Sequence, residues 1–260
     1  MLHDERFNAE AANYRYLVSA MTGGALGRPA RVLDFGCGRG PIVALAAAAG
    51  VDIHGADTFA GGYENWRAEI PEAVRERVHR IENGRLPFPD ASFDAAISNT
   101  VFEHVADPPA ALAEIARVLK PGAPFLAIFP TRDCWWEGHV GIFFVHWLKG
   151  RAQRAWLSAA YRLGAGYHRA THNRASWTAA HYASLTNDII YHTAAQVRRW
   201  WAHAFGAAPR SLAPDYMRFR LAGTRLAPLA RLGDGALSFI CHRRAGRVLL
   251  AHNGLPSGRG

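Results

Sequence analysis

The chain has 260 residues, half of them hydrophobic, enough to bury a full core. No apolar run reaches the roughly 18 residues that would suggest a membrane-spanning helix, and the polar opening MLHDERFNAEAANYRY lacks the apolar stretch of a secretory signal. Cys37, Cys134 and Cys241 stand far apart with no C-x-x-C pair, so no disulfide framework or zinc site is expected, and a reducing, cytoplasmic setting is.

The net charge of +9 conceals an asymmetry. Residues 1–130 carry 12 Lys and Arg against 16 Asp and Glu, whereas residues 131–260 carry 18 against 5 and hold nine of the 13 histidines. A basic half admits nucleic acid as a partner, but the arginines are scattered and no nucleic-acid motif is present. Nucleic acid is therefore not the expected partner. An anionic acceptor, or one presented on an anionic lipid surface, stays open.

In chain order, residues 1–29 read as an N-terminal helical segment, and residues 30–130 alternate strand and helix. A short apolar strand, Ala30–Phe35, ends at glycines. Pro41–Gly50 is a helix with Pro in its first turn and Gly just past its end. Strands follow at Val51–Asp57, Val78–Glu82 and Phe93–Asn99. Asp107 caps a helix through Leu119 whose apolar residues share one face, and Pro124–Pro130 is a fifth strand. This rhythm predicts an α/β fold with a doubly wound, mostly parallel sheet. Residues 131–190 break it, reading as a helical or irregular cap inserted after the fifth strand. A helix resumes after the Thr193/Gln196 capping box, with Val197, Trp200, Trp201 and Phe205 on its buried face. Within 191–252, Tyr216–Leu221 and Leu237–Arg243 are expected to be antiparallel strands at the sheet edge. Residues 253–260 are expected to be a disordered tail.

The chemistry concentrates at VLDFGCGRG, residues 32–40. Gly36, Gly38 and Gly40 follow a strand and open a helix, so the backbone can turn sharply against a ligand. Asp34 ends the strand just ahead of them. Its carboxylate would repel a pyrophosphate but suits a ligand carrying ammonium and sulfonium groups. Asp57 ends the second strand, where an acceptor can hydrogen-bond a ribose diol. Ser98 and Asn99 close the fourth strand at the same edge.

With these residues in place, the chain resembles the class I S-adenosylmethionine-dependent methyltransferases over about residues 30–130. VLDFGCGRG is similar to the family's first motif. Residues 83–105 resemble its adenine turn and fourth strand, and residues 117–130 its following helix, turn and fifth strand. The subgroup it most resembles includes quinone, small-molecule and sugar methylases. The resemblance implies a Rossmann-like fold and S-adenosyl-L-methionine as cofactor. By position, Asp34 with the backbone of Gly36, Cys37 and Gly38, in the loop closed by Gly40, would hold the methionine end. Asp57 would bind the ribose and Thr58 lie beside the adenine. Asn83 and Gly84 would meet the adenine, although the family often has Asp at Asn83's place and Glu82 blurs the register. Asn99 would lie near the methionine portion.

For the acceptor, His104 follows the fourth strand and reads either as a catalytic group or as one that positions the loop. Glu137 and His139 stand two apart where the fifth strand leaves the sheet, so the carboxylate could orient the imidazole as a general base. Trp135, Trp136, Phe143, Phe144 and Trp147 offer flat apolar surface, as a lid or as an acceptor pocket. Glu137-x-His139 followed by Phe143-x-x-x-Trp147 is similar to inserts of polysaccharide and sugar O-methylases. His168 and His172, at i and i+4, lack further ligand partners, so no metal is expected. The basic stretch Leu148–Gly164 is amphipathic and reads as a docked helix or a membrane-surface one. The expected reaction is O-methylation of a sugar, glycan or other small-molecule hydroxyl. A quinone-type or aromatic acceptor, a dinucleotide oxidoreductase and a non-catalytic RNA-binding module are the alternatives.

Overall fold

The computed structural model of the protein describes residues 9–60 and 63–254. An N-terminal helix, α1 (Ala9–Met21), precedes the strand–helix series β1 (Val32–Phe35), α2 (Pro41–Ala48), β2 (Ile53–Asp57), β3 (Val78–Arg80), β4 (Ala95–Asn99), α3 (Pro108–Val118) and β5 (Pro124–Phe129). Local chemistry explains the helix starts. Gly40 takes a left-handed conformation ahead of Pro41, whose fixed φ suits the first helical position. The Asp107 side chain accepts the Ala110 amide at 3.1 Å, meeting one of the orphan donors of α3.

The cap then contains a small hairpin, β6 (Trp136–Glu137) and β7 (Ile142–Phe143), and two packed helices, α4 (Gly150–Arg162) and α5 (Arg174–Asn187). It is more regular than the sequence suggests, with a core of its own around Trp177, Leu157, Val145 and Ile142. The chain returns through α6 (Ala194–Phe205), β8 (Arg210–Ser211), α7 (Ala213–Leu221), α8 (Asp234–Arg244) and β9 (Arg247–His252). The capping box forms as expected, with Thr193 and Gln196 bonded reciprocally.

The sheet has the order β3-β2-β1-β4-β5-β9-β8, parallel through β5, with β9 antiparallel to both its neighbours. β1 lies inside it, between β2 and β4, and all four of its residues are buried. Alternation along β5 feeds two cores, since Phe125, Ala127 and Phe129 face α3 and α6 while Leu126 and Ile128 face the layer of α1, α2, α7 and α8. Trp201 of α6 stacks on Phe125 and Phe129 with ring planes 12° and 19° apart.

Three expectations need correction. Tyr216–Leu221 and Leu237–Arg243 are not strands but lie in α7 and α8. Their apolar residues alternate in sequence, yet the buried ones are Tyr216, Met217 and Leu221, and then Leu237 and Cys241, at helical spacing. The antiparallel strand is β9, between β5 and the two-residue β8. It enters beside β5 at Gly246, where a Cβ would stand 2.4 Å from the Phe129 carbonyl oxygen. The expected tail begins too early, because the Asn253 side chain donates to the Ala116 and Leu119 carbonyls at 2.9 and 2.8 Å. Residues 255–260, the rest of that tail, lie outside the described residues.

Candidate active site

The carboxyl ends of β1, β2 and β4 meet at the glycine loop. Gly36, Gly38 and Gly40 have φ of 75°, 53° and 76°. At Gly36 a side chain is excluded twice over, because a Cβ would meet Val101 Cγ2 at 2.3 Å. The loop is pinned from β2. The amides of Gly36 and Cys37 donate to the Ala56 carbonyl at 2.8 and 3.3 Å. Asp57 accepts the Gly38 amide at 2.9 Å and the Phe59 amide at 2.9 Å. Cys37 turns its thiol inward, where it would touch a Cβ on Gly55, so only its backbone is offered to the loop.

Asp34 is 1% exposed, and neither carboxylate oxygen has a hydrogen-bond partner. Burial, reinforced by the nearby charge of Asp57, pushes its pKa up to about 8. Asn99 is buried at the end of β4 and accepts from the Asn13 side chain of α1 at 2.8 Å. Asn13 in turn accepts the Tyr216 hydroxyl, so α7, α1 and β4 are tied together beside Asp34. Tyr14 on the same helix bonds Glu10 and lies within the field of Asp34. Opposite, Trp66 approaches Gly38 closely enough that a Cβ there would stand 3.0 Å from its ring. Tyr63 packs on Trp66 at 4.3 Å, and Arg39 lies over the indole.

Thr58 is exposed directly after Asp57. Asn83 and Gly84 form an exposed tight turn after β3, both with positive φ (50° and 73°), closed by the Arg85 amide on the Glu82 carbonyl. No contact joins that turn to the glycine loop among the bonds described.

The second half of the site is assembled by the cap. Glu137 is completely buried and accepts from the Val140 amide at 2.6 Å, the Tyr191 hydroxyl at 2.5 Å and His139 Nδ1 at 2.7 Å. Burial works against its charge, but these donors outweigh it and hold its pKa below the ordinary carboxylate range. For His139, burial opposes protonation, but the bond and charge of Glu137, with the charge of Glu103, raise its pKa. Because a carboxylate only accepts, Nδ1 carries the proton and Nε2 is the free nitrogen.

His104 stands edge-on to His139, ring centroids 5.4 Å apart, and donates from Nδ1 to the Asp188 carbonyl at 2.7 Å. Burial lowers its pKa. Beside them Glu103 is 1% exposed with both oxygens unpartnered, and burial raises its pKa to about 7. Among the described residues, Glu103, His104 and His139 each offer a ligand atom within 4.8 Å of the others, so they could hold a metal ion. The sequence points to no metal here. His168 and His172 do not form a helical pair, since a single 3-10 turn, Arg169–Thr171, lies between them.

The structure thus brings His104, Glu137 and His139 together, and gathers Asp34, the glycines, Asp57 and Asn99 at one sheet edge. Sequence reasoning missed Asn13, Glu103 and Tyr191. Asn13 had a signal, as a polar residue on the apolar face of α1; Tyr191 had none.

A sheet of this order, with a glycine loop after β1 and an aspartate closing β2, is a Rossmann-like architecture. Residues 33–127 match the family model described as a methyltransferase domain. Over 122 residues the chain is 32% identical to a demethylmenaquinone methyltransferase of Symbiobacterium thermophilum, covering 45% of this chain and 48% of that protein. Over 96 residues it is 38% identical to the O-methyltransferase resE of Aspergillus sclerotiorum, covering 35% and 36%. The chain spans less than half the length of these relatives. Its fold is shared with an S-adenosylmethionine-dependent methyltransferase from Mesorhizobium loti, at TM-score 0.52 and 17% identity over 95% of this chain and 99% of that one. It is equally shared with the [4+2]-cyclase SpnF, at TM-score 0.51 and 20% identity over 95% and 82%. Over residues 33–127 the chain is thus similar to methyltransferase domains, and its fold is the one seen in S-adenosylmethionine-dependent methyltransferases.

Proposed function

We propose that this chain transfers the methyl group of S-adenosylmethionine to a hydroxyl of a sugar, glycan or other small-molecule acceptor. The fold alone does not carry the reaction, since a cyclase shares it. What supports the reading is a buried carboxylate without any protein partner, Asp34, placed next to Asp57 at the edge where an oriented imidazole also stands.

An ionised carboxylate left alone in a protein interior is costly, and a cationic ligand removes that cost. The cofactor's ammonium suits Asp34, and the free lone pairs of Asp57 suit its ribose hydroxyls. Gly36, Cys37 and Gly38 would frame the methionine end, with Asn99 near it, and Thr58, Asn83 and Gly84 would face the adenine. When bound, the cofactor supplies a methyl group on a sulfonium, ready for in-line displacement. The chain's part is to align the acceptor, exclude water and take its proton.

Nε2 of His139 is the proposed proton acceptor, with Glu137 stabilising the imidazolium that forms and Tyr191 holding Glu137. His104 positions the loop after β4 through the Asp188 carbonyl. A quinone-type or aromatic acceptor is the second reading, favoured by the packed Tyr63 and Trp66 rings beside Gly38 and by the relative named as a demethylmenaquinone methyltransferase.

Incubation with methyl-labelled S-adenosylmethionine and fractionated cell extract tests both readings. A labelled carbohydrate or other hydroxyl compound supports the first, and a labelled quinone supports the second. Calorimetry showing no heat with S-adenosylmethionine or its demethylated product would sink both.

A further inference from the structure

The cap leaves a large apolar surface uncovered. Trp147, Phe144, Phe143 and Trp135 are each 38–45% exposed, and Phe239 of α8 is 51% exposed. They form one continuous patch, with ring centroids 5.0 Å apart from Trp147 to Phe144, 5.7 Å on to Phe143, 6.1 Å from Phe144 to Trp135 and 5.7 Å from Trp135 to Phe239. Contiguous apolar exposure on this scale marks an interaction surface.

Helix α4 extends it. At about 100° per residue, Gln153, Leu157 and Ala160 turn to the cap core, as their burial shows. Ala152, Ala155, Trp156, Ala159 and Leu163 fall on a different stripe, about 100° wide. Trp156 is 38% exposed and Leu163 79%. Trp156 adjoins the patch directly, donating Nε1 to the Phe143 carbonyl at 2.8 Å. Trp147 likewise donates Nε1 to the Arg132 carbonyl at 2.6 Å. With both indole N–H groups satisfied inside the protein, these rings can enter an apolar phase without stripping a donor of its partner.

Charge says what covers the surface. Between Glu137 and Asp188 there is no acidic residue, against six Lys and Arg. Lys149, Arg151 and Arg162 are exposed beside the apolar stripe, and Arg243 lies over the Trp135 and Phe239 rings. Aromatic rings and leucine on one face, flanked by the exposed Lys149, Arg151 and Arg162, suit the headgroup level of an anionic bilayer, whereas Arg243 is already paired with Asp133 at 3.7 Å.

We propose that this face of the cap, formed by α4, the β6–β7 hairpin and the end of α8, rests on an anionic phospholipid bilayer. Among the described residues no helix is long and apolar enough to cross a membrane, and the contact proposed is a peripheral one. The proposal does not depend on methyl transfer, and its test reads binding alone. The purified chain is floated with phosphatidylcholine vesicles and with phosphatidylcholine:phosphatidylglycerol vesicles at roughly 7:3, in about 0.1 M salt. Flotation is expected with the anionic vesicles, weakening as salt rises. The double variant Phe143→Ser/Phe239→Ser should lower the bound fraction about tenfold, and Arg151→Glu/Arg162→Glu should do so for anionic vesicles chiefly. Circular dichroism confirms that each variant is folded. No flotation of the native chain, or variants that float as well as it does, overturns the proposal. So does light scattering that shows a stable dimer dispersed by the same phenylalanine changes, since a second copy would then cover the patch.

Discussion

Two carboxylates at opposite ends of the site are equally buried and electrostatically opposite. Glu137 has three donors and stays acidic although no part of it is exposed. Asp34 has no hydrogen-bond partner, and its pKa rises to about 8. Since burial is the same, partners make the difference. The cap half is complete within the chain and exists to hold one imidazole. The sheet half leaves Asp34 without a protein partner, and on the proposed reading a cationic ligand supplies one. Glu103 stands between the two, unpartnered like Asp34 but within the field of His139.

The largest expected effect comes from the completed half. His139→Ala should lower turnover by about 10²–10⁴ and leave cofactor affinity unchanged. A base must be deprotonated, and the Glu137 pair raises His139 above 6.5, so kcat should climb with pH along a limb above that value. Glu137→Gln removes the charge that raises it, so the limb should move to lower pH and the plateau should fall. A limb that stays in place takes proton transfer away from His139.

Breaking the incomplete half should have effects of two signs. A carboxyl whose folded pKa lies above its unfolded value favours folding fully at low pH and loses that contribution as pH rises. For Asp34 the loss runs from about pH 4 to about pH 8 in the ligand-free protein. Asp34→Asn should therefore stabilise the ligand-free protein at pH 8 by about 1–3 kcal/mol while weakening S-adenosylmethionine binding by tenfold or more, about 1.4 kcal/mol. Denaturation and calorimetry on one sample read both. If stability and affinity fall together, Asp34 is a structural residue and the comparison with Glu137 fails.

Asp57 combines both characters, because it already accepts two loop amides. Asp57→Ala should weaken cofactor affinity by about 1–3 kcal/mol. Asp57→Asn keeps one acceptor and should recover part of the loss. Tyr191→Phe removes one of three donors to Glu137, so turnover should drop about fivefold, near 1 kcal/mol, with cofactor affinity intact.

The sheet half was more legible in the sequence for a physical reason. β2 and β4 end in Asp57 and Asn99, β1 carries Asp34 one residue before its end, and the glycines that follow admit few conformations. In the C-terminal half, local pattern and tertiary context disagree. Met217, Phe219 and Leu221 alternate like a strand, but burial follows Tyr216, Met217 and Leu221, and the helix wins. The run Val248–Ala251 has no periodicity, because both faces of β9 are covered. Glu137 and His139 were readable as a pair because they are two residues apart. Tyr191 reaches them across 54 residues of cap, and nothing in its own neighbourhood records that contact.

The smallest expected effect concerns Asn83, where sequence and structure give different reasons for one residue. The resemblance places its side chain at the adenine, while the backbone shows φ of 50° followed by Gly84 at 73°, a turn that favours asparagine for its own sake. Asn83→Ala would mix the two effects by removing the side chain and straining the turn. Asn83→Gly separates them, because glycine takes a positive φ without strain. If the amide meets the adenine, Asn83→Gly should weaken S-adenosylmethionine binding by about 0.5–1.5 kcal/mol without loss of melting temperature. If affinity is unchanged, asparagine is there for the turn, and adenine recognition falls to Glu82 or to the backbone of Gly84.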